Sequence, residues 1–90
     1  MDFMQCRRNN FVKQISIDDN LIKSLRISSG KKLSSQKLLT LNDETATSKI
    51  TLVYDALREL LEALAISKCY KIYNHECYTA FLKEIMKESN

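Results

Sequence analysis

Between positions 50 and 64 the apolar residues Ile50, Val53, Tyr54, Leu57, Leu60, Leu61 and Leu64 recur at steps of three and four. At about 100° per residue this spacing draws one stripe along a helix. Asp55, Arg58, Glu59 and Glu62 fall off the stripe. With Asn42-Asp43-Glu44 at its start and the pattern fading at Ser67-Lys68, a helix is predicted over residues 43–68. Residues 69–73 then read as a short loop, and Asn74 as the N-cap of another helix. Its apolar pairs Cys77/Tyr78, Phe81/Leu82 and Ile85/Met86 recur every four residues.

Upstream, Ser16-Ile17-Asp18-Asp19 has the S-x-x-D form of a helix start, with Ser16 as the cap. That helix would run to about residue 40, anchored by Leu21, Ile22, Leu25, Leu33, Leu38 and Leu39. Its weak point is Ser28-Ser29-Gly30, where propensity is poor and a kink or break is expected. Residues 1–16 show scattered apolar positions without a clean period, and read as an extended arm or a short turn.

The composition narrows the fold class. One Gly, no Pro and no Trp in 90 residues leave too few turn formers for a sandwich or barrel of short strands. The expectation is a single all-α domain over residues 1–90, an up-and-down helical bundle of three predicted helices. A chain this short buries only about 60% of the surface its unfolded form exposes. Three apolar stripes want a fourth surface, supplied by dimerisation or by a helix following residue 90.

Charge adds a second pattern. The net charge is only +3, but residues 20–41 hold Lys23, Arg26, Lys31, Lys32 and Lys37 and no acid. This segment is either a phosphate-facing surface or a solvated helix face. Cys6, Cys69 and Cys77 are an odd count without framework spacing, which reads as free thiols in a reducing cytoplasm. The most apolar stretch, residues 50–66, is interrupted by four charges, so no membrane span is expected.

Candidate chemistry centres on His75, the only histidine. At the start of a helix its imidazole would favour the neutral form and serve as a base. Lys68 and Lys71 lie close enough in sequence to stabilise a phosphate, and Tyr70 and Tyr73 to stack on bases. The structural alternative is a capping or surface histidine at a loop-to-helix junction. Tyr54, Tyr78 and Cys77 read as core. Cys69, His75 and Cys77 lack the paired spacing of a zinc site, so no metal or other cofactor is expected.

The stretch from Leu52 to Ala65 (LVYDALRELLEALA), followed by Ser67 to Leu82 (SKCYKIYNHECYTAFL), resembles the HEPN domain, the higher-eukaryote and prokaryote nucleotide-binding family. It is most similar to the small archaeal stand-alone kind. The most specific part is the junction Lys71-x-Tyr73-x-His75-Glu76-Cys77. The resemblance implies a bundle of four or five helices, usually dimeric, and for active members a metal-independent ribonuclease with an Arg-x4-6-His motif. His75 matches the motif's histidine, and Lys68 stands at the arginine position, six residues separating the two. Lysine lacks the bidentate fork of arginine, so weak or lost catalysis is implied. Lys71, Tyr73, Asn74 and Arg58 are the expected binding residues around it. RNA, or a nucleotidyltransferase-type antitoxin protein in a toxin–antitoxin pair, are the implied partners beside a second copy. The alternative is a helical protein–protein interaction module without catalysis.

Overall fold

Asp2 and Gln5 set the first element. The Asp2 carboxylate accepts the backbone N–H of Gln5 at 2.8 Å, and the Gln5 side-chain oxygen accepts the N–H of Asp2 at 2.9 Å. This reciprocal cap starts α1, Phe3–Arg8, in a computed structural model that describes residues 1–86. Then follow β1 (Val12–Gln14), α2 (Asp19–Lys37), α3 (Ala46–Ser67), β2 (Tyr70–Ile72) and α4 (His75–Phe81), continued by a π-helical turn over Leu82–Met86. The chain is mostly helical with one small sheet. It divides into two compact units, residues 1–18 with 65–90, and residues 19–64. Among the described residues no helix is long and apolar enough to cross a membrane.

In the first unit the expected extended arm is instead a helix and a strand. α1 closes on Asn10, whose φ of 61° is left-handed. The N–H groups of Asn10 and Phe11 return to the carbonyls of Arg7 and Cys6, and Asn tolerates this conformation better than most residues. β1 then pairs antiparallel with β2, Val12 opposite Ile72, Lys13 opposite Lys71 and Gln14 opposite Tyr70. The predicted loop 69–73 is therefore largely a strand. Three residues are too few to show alternation in sequence, so the pairing comes from a partner 60 positions away rather than from local pattern.

The core of this unit gathers Phe3, Val12, Ile66, Ile72, Ala80 and Phe81, all buried. Phe3 meets Tyr70 edge-on at 5.0 Å between ring centroids and lies 6.2 Å from Phe81. Cys6 and Cys77 are fully buried and bonded to each other as a disulfide. The expectation of three free thiols is corrected for these two; Cys69 alone is a thiol. Odd spacing concealed the bond because the partners are brought together by tertiary folding, not by a local framework.

In the second unit α2 and α3 are antiparallel. The Lys49 ammonium, near the start of α3, donates to the carbonyl of Gln36 at the end of α2 and to that of Leu39 just beyond it. Further along, Lys32 pairs with Glu59. A cation at these last carbonyls satisfies groups the helix cannot satisfy itself. α2 begins at Asp19, so Asp18 rather than Ser16 precedes its first turn. The helix also runs unbroken through Ser28-Ser29-Gly30. The buried Ser29 hydroxyl donates back to the carbonyl of Arg26 at 2.9 Å, so the side chain is satisfied inside the helix.

α3 begins at Ala46, three residues later than predicted, because Asn42 spends its side chain on a turn. Its Oδ1 accepts the N–H groups of Glu44 and Thr45. The larger departure is the face that α3 buries. Ala56, Glu59 and Ala63, within about 60° of one another around the axis, are closed to solvent, whereas Ile50, Val53, Tyr54, Leu57 and Leu60 are exposed. The stripe that predicted the helix, Tyr54 included, is not its buried side.

Candidate functional site

The residues around His75 are laid out by the end of α3 and the small sheet. The N–H of Cys69 donates to the carbonyl of Ile66 at 2.9 Å, and Cys69 takes a φ of 68°. This left-handed residue turns the chain sharply, at a steric cost of about 1–2 kcal/mol for a side chain bearing Cβ. The Cys69 carbonyl then accepts the N–H of Ile15 at 2.8 Å, and the N–H of Tyr73 donates to the carbonyl of Phe11 at 2.7 Å. These bonds extend the β1–β2 ladder at both ends.

Side chains alternate across a strand, and Val12 and Ile72 are buried. The opposite face therefore carries Lys13, Lys71 and, one step on, Tyr73. Lys13 and Lys71 are directly opposite in register. Like charges so placed destabilise a strand pair. Tyr73 is 59% exposed, and the Lys71 ammonium lies 5.8 Å from its ring centroid. That contact is a cation–π arrangement.

Asn74 caps α4, its side-chain oxygen accepting the N–H of Glu76 at 2.8 Å. His75, the first residue of α4, is exposed, as is Lys68 immediately after α3. Lys68, Lys71, Tyr73, Asn74 and His75 thus occupy one short segment of the first unit. Asn74 has a structural use already, as a cap. Arg58 is exposed on α3 within the second unit.

Lys13 is the site residue that sequence reasoning missed. Its only local signal was the alternation Val12-Lys13-Gln14, and its place opposite Lys71 depends on the pairing. The basic segment of α2 also changes. Lys23, Arg26, Lys31 and Lys37 are exposed, but Lys32 is committed to Glu59 and leaves the phosphate-facing set. Lys23 and Arg26, with Asp19, Ile22 and Ile27, line an open recess.

Glu59 is a buried carboxylate on α3. Hydrogen bonds from Lys32 and then Ser28 hold its carboxyl below the usual range, outweighing the opposing effect of burial. This is a hairpin fastening rather than reactive chemistry.

Chemically, the outer face of the ladder offers ammonium groups for phosphate, a ring for stacking, and an imidazole next in the chain. Cys6 and Cys77 cannot serve as metal ligands with His75 while bonded to each other. Set beside family models, curated proteins and solved structures, the chain matches none.

Proposed function

We propose that this chain is a HEPN-like, RNA-associated helical protein whose metal-independent cleavage is weak or lost. The observation that carries this reading is Lys13 set opposite Lys71, beside the exposed ring of Tyr73 and leading into His75. Two opposed lysines cost stability unless something anionic lies across them, and a phosphate backbone is such a group. Tyr73 would stack on a base, and Arg58 would add a phosphate contact of its own on α3. Were cleavage retained, His75 would take the proton of a ribose 2′-hydroxyl and Lys68 would stabilise charge on the phosphate. In a toxin–antitoxin pair the partner would be a nucleotidyltransferase-type protein.

Binding to labelled single-stranded RNA across a salt series tests this reading. The log–log salt slope is expected to fall by about 0.7 for each lost phosphate contact in Lys13→Ala and Lys71→Ala. Slopes equal to wild type in both variants remove it. Incubation with RNA in the absence of metal, wild type beside His75→Ala, decides catalysis: equal cleavage, or none from either, removes the enzyme.

A second reading, the interaction module, is favoured by the exposed apolar stripe of α3. Its occupant would be a second copy. The stripe is symmetric about Leu57: Tyr54 and Leu60 stand three residues away, Val53 and Leu61 four, Ile50 and Leu64 seven. An antiparallel two-fold pairing therefore sets apolar against apolar, with Tyr54, Leu57 and Leu60 open at its centre and Leu61 and Leu64 already half-buried in their own chain. Two α2–α3 pairs joined this way would make an up-and-down bundle of four helices.

A further inference from the structure

Cys6 and Cys77 are 71 residues apart in the chain, and their bond joins α1, six residues long, to α4, seven residues long. Helices this short do not hold themselves in water, so α1 depends on its attachments. Besides the disulfide these are the Phe3 ring among Tyr70 and Phe81, and the Phe3 N–H, which donates to the Glu84 carboxylate at 2.8 Å. β1 begins four residues after α1 ends and carries Lys13 into register with Lys71. The bond therefore closes a short circuit that is part covalent and part hydrogen-bonded: Cys6 leads to β1, β1 pairs with β2, and β2 leads through Asn74 back to Cys77.

We infer that the Cys6–Cys77 bond is a redox clasp on the N-terminal arm. Oxidised, it holds α1 on α4 and β1 on β2; reduced, it releases residues 1–14 while the α2–α3 pair keeps its fold. The co-reactant is a dithiol. Its two thiols close to a disulfide, and two electrons and two protons pass to the sulfurs of Cys6 and Cys77, which separate as thiols. Both sulfurs are sealed from solvent, so the reductant acts when α1 lifts. A thiol-reducing compartment would hold the clasp open and an oxidising one would close it. The device stands whether or not the ladder binds RNA, and neither readout below involves RNA.

The test uses the full chain carrying Cys69→Ser, which removes the third thiol and prevents exchange. Air-equilibrated protein, denatured without reductant, is expected to show no titratable thiol; two thiols per chain overturn the clasp. Limited trypsin digestion then compares oxidised protein with protein reduced by dithiothreitol. Arg7, Arg8 and Lys13 are exposed cleavage sites on the arm. Cleavage there is expected to rise at least tenfold on reduction and to fall again on reoxidation, with Lys23, Arg26 and Lys31 unchanged. Equal rates at the arm in both states overturn the inference. So does acceleration at the α2 sites to the same degree, since the bond would then hold the whole chain rather than the arm.

Discussion

Lys32 on α2 and Glu59 on α3 form an ion pair with 2.5 Å between nitrogen and oxygen, on the side of α3 that is closed to solvent. The carboxyl is held below the ordinary range by the Lys32 and Ser28 hydrogen bonds. A group whose folded pKa is depressed adds stability above its unfolded value, about 4.3 for Glu. That contribution is lost as the pH falls through the folded value. Between pH 5 and pH 3 the wild type is expected to lose more stability than Glu59→Gln, read as the shift in urea midpoint. Parallel losses would show that Glu59 carries none of the acid sensitivity.

Removing Lys32 leaves the buried Glu59 carboxylate without its paired cation. Lys32→Met is expected to cost about 2 kcal/mol, and Lys32→Met with Glu59→Leu to regain most of it. Denaturant unfolding of the two variants measures the difference. A double variant no better than the single would mean that the pair itself supplies the stability.

Gly30 lies inside α2, and a Cβ built there meets no atom within 4 Å. Its φ is not left-handed. Gly30→Ala is therefore expected to stabilise the chain by about 0.5–1 kcal/mol, since it limits the unfolded backbone and improves helix propensity. A lower melting temperature for the variant would place an unrecognised close approach at this position.

Cys69 has the opposite backbone requirement. At a φ of 68° glycine carries no Cβ penalty, so Cys69→Gly is expected to exceed Cys69→Ala in stability by about 1 kcal/mol. For a chain of this size that corresponds to about 4–8 °C in melting temperature. The usual order, alanine above glycine, would show that the turn relaxes.

Leu57 sits at the centre of the exposed α3 stripe, 55% open to solvent. Leu57→Asp is expected to change chain stability by no more than about 0.5 kcal/mol at low protein concentration. The same substitution is expected to abolish self-association, seen as a monomer mass by light scattering where wild type gives a dimer. Identical masses for both proteins would remove the second copy as the occupant of this face.

Much of the helical framework is legible along the chain. The three-and-four spacing locates α3, and Asn74 marks the start of α4, whereas α1, capped by Asp2 and Gln5, lies in a stretch that reads as an arm. These are local matters of periodicity and of amide groups satisfied by nearby oxygens. The segment holding Lys68, Lys71, Tyr73 and His75 is also visible there, because its members are near neighbours in sequence. Only the tertiary structure decides the rest. β1 and β2 are three residues each and exist through pairing across nearly sixty positions, which is what sets Lys13 against Lys71. The Cys6–Cys77 bond likewise depends on α1 reaching α4. Periodicity reveals that α3 has an apolar face but not which neighbour covers it. In the folded chain small residues and the Lys32–Glu59 pair occupy its closed side, and Ile50, Val53, Tyr54, Leu57 and Leu60, five of the large apolar side chains that announced the helix, are turned to solvent.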